Sequence, residues 1–331
     1  MKLAYLAFTA KGKALADELA TALGGTAMRC NQPLSLEAWT SAQFADVGGL
    51  VFVGAAGIAV RAIAPHLKHK ATDPAVVVVD ECGHFAVPIL SGHLGGANDL
   101  ARQIARVCGA VPVITTATDA NGIFAVDEWA KRQGCLVLNP GQIKQVSSLL
   151  LAGGTVRVRS AWPIAGTPPA GVAVTEDDFC QVRQDLLGGD PDALCLVPPL
   201  AVLGVGCRRG ISHVALEDAL VALLDRAGIC VQAICAAATI DRKGDEPALL
   251  DFCDAHNWPL STYTAEQLRQ IQGTFTGSAF VQQVTGVDNV CERAAVLASG
   301  GTLYCNKLAG NGVTMALALK PYQPDWRWRD E

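Results

Sequence analysis

The sequence predicts an α/β fold, with three-layer α/β/α domains at the N- and C-terminal ends and a small α+β region between them. Three observations lead there. Half of the 331 residues are hydrophobic and only 17% are charged, ample material for more than one buried core. Strand-like apolar runs alternate with helical patterns along most of the chain, the rhythm of sheets covered by helices. The segment SGHLGGAN, 91–98, joins an apolar run to a helical pattern, so a strand end, a glycine-rich turn and a helix start coincide. The expected domains are 1–133, 134–198 and 199–331.

The elements follow in order. Residues 3–8 read as a strand and 13–23 as an amphipathic helix carrying Leu15, Leu19 and Leu23. A strand over 49–54 ends in glycine, and a short helix over 57–64 stops at Pro65. Strands 76–80 and 85–90 are separated by Glu81-Cys82-Gly83-His84, which predicts an antiparallel hairpin. Helix 98–108 follows the glycine-rich turn, with Leu100, Ile104 and Val107 on one face. A strand over 111–115 runs into Thr115-Thr116-Ala117-Thr118-Asp119, and a helix covers 124–133. In the middle region, helix 143–151 precedes an alternating strand over 155–159, a proline- and glycine-rich loop and a strand near 172–175. Pro198-Pro199 marks a boundary. Beyond it come strand 200–205, a helix from Ser212 to Ala227 with Ser212 as N-cap, strand 234–237, helices 247–255, 278–284 and 289–298, and strands 302–305 and 314–319.

Composition excludes several classes. The net charge of −5 does not suit a nucleic-acid binder. No segment offers the ~20 apolar residues needed to span a bilayer. The first apolar run is short and leads into Lys11-Gly12-Lys13 and a helix, so it reads as a strand rather than a signal peptide. A cytoplasmic location without membrane contact is expected. Twelve cysteines are scattered among apolar neighbours, and none forms C-x-x-C, so zinc ribbons and ferredoxin-type clusters are not expected. Reduced, mostly buried thiols are.

Several residue groups could carry chemistry. Four of the six histidines, His66, His69, His84 and His93, fall between 66 and 93. Their spacing matches no zinc motif and few carboxylates lie near them in sequence, so no protein-held metal is expected. His66 and His69 read as solvated loop residues. His93, beside Gly92 at a strand-to-helix turn, is placed to face a cleft above the sheet. Three glycine-rich turns offer backbone N–H groups to an anion: Gly54 to Gly57, Gly92 to Gly96, and Gly206 to Gly210. None is G-x-G-x-x-G or a Walker loop, so NAD and ATP are not indicated. The third turn adds Arg208 and Arg209, whose guanidinium forks suit a ligand with several carboxylates. Cys207 in this basic turn is a candidate for a lowered pKa, though it lacks a neighbouring base. Lys243, Glu246, Glu292, Lys307 and Asn311 are further polar residues near element ends.

These residues carry a resemblance. GAAGIAVRAIAP (54–65), DPAVVVVDECGHFAVPILSGHLGGAND (73–99) and PVITTATD (112–119) resemble the N-terminal domain of the cobalamin biosynthesis protein G family. GVGCRRG (204–210), DRKGDE (241–246), ERAAVLASGG (292–301) and NKLAGNGVTMALA (306–318) resemble its C-terminal domain. The family turn reads Gly-Cys-Arg-Lys-Gly-Thr; here Arg209 keeps the charge and Ile211 drops the hydroxyl. Glu292-Arg293-Ala294-Ala295 lacks the proline usual at that helix start.

The resemblance implies a cobalt-precorrin-5A hydrolase of the anaerobic cobalamin route, which opens a δ-lactone and releases acetaldehyde. The cobalt belongs to the corrinoid substrate, so no cofactor is expected. On this reading His93 is the base, His84 the alternative base and Asp119 the group that orients the histidine or takes part in proton transfer. N–H groups of Gly95 and Gly96 stabilise the oxyanion. The substrate would be held by Gly54, Gly57 and Arg61, by Ser91, Gly92, Asn98, Thr115 and Thr116, and by Gly206, Cys207, Arg208, Arg209, Lys243, Glu292 and Lys307. The alternative is a non-catalytic corrinoid carrier of the same pathway. Transient contact with other pathway enzymes and a homodimeric state are both left open.

Overall fold

In the computed structural model, which describes residues 1–69 and 72–329, the chain divides into two compact units, Met1–Glu128 and Trp129–Glu331. Among the described residues, no helix is long and apolar enough to cross a membrane.

The first unit is built on a six-stranded sheet. Its strands are β1 (Leu3–Ala7), β2 (Thr26–Arg29), β3 (Gly49–Val53), β4 (Ala75–Val79), β5 (Phe85–Leu90) and β6 (Val111–Pro112), in the spatial order β2-β1-β3-β4-β5-β6. β1, β3 and β4 are buried along their whole length and almost uniformly apolar, as a strand covered on both faces must be. Helices α1 (Ala10–Leu23), α2 (Leu36–Phe44), α3 (Ala56–Ile63), α4 (Ala97–Cys108), α5 (Ala117–Ala120) and the start of α6 (Val126–Arg132) complete the unit. One apolar layer joins α1 and α4 to the sheet through Leu19, Leu100 and Ile104. The opposite layer joins α2 and α3 through Trp39, Phe44 and Ile63.

One reversal in this sheet positions the chemistry. β1 to β4 run parallel. The hairpin β4–β5 is antiparallel, as its turn sequence predicts, with Val79 opposite Ala86. Asp80 closes that turn by accepting the N–H groups of Cys82, His84 and Phe85. β6 then pairs parallel with β5. The carboxyl ends of β5 and β6 therefore open at the end of the sheet where β4 begins. Those of β1, β3 and β4 open at the other end.

The second unit carries two five-stranded sheets. The first is ordered β7-β11-β10-β8-β9, from β7 (Leu136–Val137), β8 (Val156–Ser160), β9 (Val172–Val174), β10 (Val182–Gln184) and β11 (Leu194–Val197), with α7 (Ile143–Leu151) between β7 and β8. Its strands pair in parallel except for β7. The second is ordered β14-β13-β12-β16-β15, from β12 (Ala201–Cys207), β13 (Ile234–Ile240), β14 (Leu260–Tyr263), β15 (Thr302–Gly310) and β16 (Val313–Leu319). Helices α8 (His213–Ala227) and α9 (Pro247–Ala255) cover one face, and α10 (Ala265–Gln270), α11 (Ala279–Thr285) and α12 (Cys291–Ser299) the other. Ser212 caps α8 through its hydroxyl, as its position predicts. A methyl group on Gly204 would lie 1.8 Å from the Cys291 carbonyl oxygen, so α12 rests directly on the β12 backbone.

Candidate active site

The SGHLGGAN turn lies at the carboxyl end of β5. Ser91 takes a left-handed φ of 56°, and Gly96 a φ of 86° just before α4. The turn satisfies the C-terminal part of its own backbone. Ala97 N–H donates to the Ser91 carbonyl, Asn98 N–H to Gly92 and Gly96 N–H to His93, all at 2.8–3.0 Å. This corrects one sequence expectation: Gly96 N–H is committed to the His93 carbonyl and is not available as an oxyanion donor. Of that pair only Gly95 remains a candidate.

What the turn presents is His93, with its side chain 15% exposed. Nδ1 lies 3.1 Å from Asp127 Oδ2 and Nε2 lies 2.9 Å from Asp119 Oδ2. Glu128 Oε1 is 3.8 Å from Nε2, and Thr118 Oγ1 is 3.4 Å from it. Asp119 is held in turn. Asn98, itself buried, donates to its Oδ2 at 3.0 Å, Thr116 donates to the same oxygen, and Arg102 Nη2 donates to Oδ1 at 2.7 Å. The short β6 and the chain that follows it bring Thr116, Thr118 and Asp119 to this end. The first turn of α6 brings Asp127 and Glu128.

Burial alone would lower the histidine pKa, but the hydrogen bonds to Asp119 and Asp127 and the surrounding carboxylate charge outweigh it and push His93 up to about 10. For Asp119, burial acts upward. The hydrogen bonds from His93 and Thr116, with the charges of His93 and Arg102, prevail and hold it well below the usual carboxylate range. Burial pushes Glu128 up to about 7 against the pull of His93. With both ring nitrogens against carboxylates, His93 is held toward its protonated form. Sequence reasoning placed His93, Asp119, Asn98, Thr116 and Ser91 in one site; the first four are together here, and the Ser91 hydroxyl instead donates to the Asp73 carbonyl. It missed Arg102, Asp127 and Glu128. The acidic pair at the start of a predicted helix was the available signal.

Other expected residues lie elsewhere. Gly54, at the carboxyl end of β3, abuts the Phe8 ring. Arg61 folds back onto the Gly57 carbonyl at 3.3 Å. The His84 side chain is 71% exposed in the β4–β5 turn, at the end of the sheet opposite His93, so the two histidines do not share a site. Thr115 is exposed beside Thr116.

In the second unit, the Gly206 to Gly210 turn meets the segment 241–246. Arg209 pairs with Asp245 at 3.1 Å and donates to the Arg242 carbonyl. Gly210 N–H donates to buried Glu246 at 2.9 Å, and Lys243 Nζ is 3.9 Å from the same carboxylate. Arg208 is exposed, lies against Gly312 and makes no ion pair among the described residues. Burial raises the Cys207 pKa, the opposite of the activated thiol suggested by the basic turn. Glu292 is fully buried. It accepts from Thr276 N–H and Oγ1, from Asn289 and from Lys307 N–H, at 2.6–2.9 Å. It therefore organises the loop and strand around it rather than touching substrate. Lys307 Nζ donates to the Thr276 carbonyl at 2.7 Å.

The chain matches three family models: Cobalamin synthesis G N-terminal over 38–119, Cobalamin biosynthesis central region over 124–231 and Cobalamin synthesis G C-terminus over 201–318. It is 36% identical over 293 residues to the cobalt-precorrin-5A hydrolase of Salmonella typhimurium, covering 83% of each chain. It is 32% identical over 304 residues to that of Priestia megaterium, covering 84% of this chain and 80% of the relative. A solved structure described as a cobalamin biosynthesis protein G homolog from Sulfolobus solfataricus is 20% identical, covers 97% of each chain and superposes with a TM-score of 0.42.

Proposed function

The chain belongs to the cobalamin synthesis G family, and from that membership we infer that it is a cobalt-precorrin-5A hydrolase. Water attacks the lactone carbonyl of the corrinoid, and the ring C–O bond breaks to give a carboxylate and a hydroxyl-bearing two-carbon fragment. The hydroxyl then loses its proton as the C–C bond to the macrocycle breaks. Acetaldehyde leaves, and the electron pair with a proton passes to the macrocycle. Cobalt travels with the substrate.

The observation that best supports a hydrolytic site in the first unit is His93 clamped between carboxylates at the carboxyl ends of a parallel strand pair. Such ends are where open α/β sheets bind ligands. In the second unit, exposed Arg208 is the group best suited to a peripheral substrate carboxylate.

The test is anaerobic incubation with cobalt-precorrin-5A and assay of acetaldehyde. One equivalent per substrate is expected. His93→Ala should lower the rate by at least about 10²-fold. Arg208→Ala should raise KM with little change in kcat. A protein that shifts the corrinoid spectrum stoichiometrically yet yields no acetaldehyde would be a carrier instead.

A further inference from the structure

We propose that His93 Nε2, Asp119 Oδ2 and Glu128 Oε1 form a binding site for one divalent first-row transition-metal ion, with Asp127 fixing the histidine ring from the other side. These three ligand atoms lie within 4.8 Å of one another. Metal–nitrogen and metal–oxygen bonds of ~2.1 Å place adjacent ligand atoms about 3.0–3.4 Å apart. The present separations from Nε2 are 2.9 Å and 3.8 Å, so small side-chain adjustments complete the set.

Three features point to a cation rather than to a closed hydrogen-bond network. First, Asp127 sits on Nδ1. A carboxylate there keeps the N–H on Nδ1 and turns the Nε2 lone pair toward the other two carboxylates, the usual support of a metal-bound histidine. Second, the Glu128 side chain is only 7% exposed, and its carboxylate accepts no hydrogen bond among the described residues, yet it aims at Nε2. A buried carboxylate left this way is costly unless it takes up a proton or a cation meets it. Third, Asp119 has its own outer support. Arg102 holds one oxygen, and Asn98 and Thr116 orient the other. Three carboxylates thus surround one imidazole and one guanidinium, a donor set that suits a divalent ion.

One imidazole with two carboxylates suits the manganese-to-zinc series better than calcium, which takes oxygen ligands. Three protein ligands leave positions for water. An ion-bound water would supply the nucleophile, a consequence that rests on the hydrolase reading. The ion replaces the Nε2 proton, which is released.

A second group, Asp80, Cys82 and His84, has comparable spacing, but its Cys82 and His84 are exposed. It serves as the control.

The experiment uses full-length protein stripped by chelator and titrated separately with Zn²⁺ and Mn²⁺. Bound metal is measured after gel filtration, and thermal melting is followed alongside. One tight equivalent is expected, with a raised Tm. Glu128→Gln and Asp119→Asn should each weaken binding at least 10-fold, and Asp127→Asn by about 10–100-fold. Cys82→Ser should leave the stoichiometry unchanged. In the wild-type protein, Mn²⁺ should broaden the His93 imidazole resonances, a readout independent of whether any variant folds. Absence of a stoichiometric ion, unweakened binding in Glu128→Gln and Asp119→Asn, or loss only in Cys82→Ser would overturn the site. Acetaldehyde formation by protein that binds no ion would overturn the metal site alone. Metal binding without acetaldehyde would overturn the reaction alone.

Discussion

A methyl group on Gly95 would stand 2.3 Å from the Ser91 Cβ and 2.8 Å from its carbonyl oxygen. Gly95→Ala must therefore open the turn that carries His93. A loss of about 1–3 kcal/mol in urea unfolding is expected, together with reduced acetaldehyde release. Gly57 differs, because the nearest atom to its added methyl is the tip of Arg61 at 3.4 Å. Gly57→Ala should be neutral or stabilising by up to about 1 kcal/mol. Impaired substrate binding in that variant would show that a ligand approaches the Gly57 backbone. At this scale the sequence was legible where chemistry and local structure coincide. His93, Asn98, Thr116 and Asp119 announce themselves in turns. Asp127 and Glu128 do not, because only the fold brings residues 34 and 35 positions beyond His93 back to its ring.

Among the elements, α12 depends on one buried carboxylate. Glu292 satisfies donors from the loop before α11, from Asn289 and from β15. Glu292→Ala would leave several buried donors unpaired, at a cost of at least about 3 kcal/mol. In a unit of this size that corresponds to a fall in Tm of roughly 6–12 °C, measurable by calorimetry. Glu292→Gln should fall between, because its amide supplies an acceptor but also turns donors toward donors. Long periodic elements were readable from sequence: α7 and α9 occupy the expected residues. Short or polar ones were not. β2 is a partly exposed edge strand, TAMR, and β14 is the similar LSTY, so neither shows the continuous apolar run of a central strand. β6 stops after two residues instead of continuing to 115. Beyond it the chain leaves the sheet to deliver Thr116 and Asp119. Local pattern cannot report that demand.

Over the whole molecule the cysteines behave as their apolar surroundings suggest. All twelve are free thiols; six are buried, and only Cys82 is exposed. Burial pushes Cys253 up to about 11 and Cys291 up to about 12, so neither reacts readily as a thiolate near neutral pH. Titration of native protein with a colourless maleimide should modify Cys82 first, with Cys253 and Cys291 protected until denaturant is added. Peptide mass mapping would check the order. Early modification of Cys291 would contradict the close seating of α12 on Gly204.

The reversal between β4 and β5 then has a practical use. Cys82 and His93 lie at opposite ends of β5, and a six-residue strand is about 20 Å long. A fluorophore on Cys82 would sit about 20 Å from the proposed His93 site, within energy-transfer range of a strongly coloured corrinoid bound there. The protein thus comes with its own attachment point for an optical sensor. Quenching of that dye would time the arrival and release of a ligand at the His93 end without a substitution in the site itself.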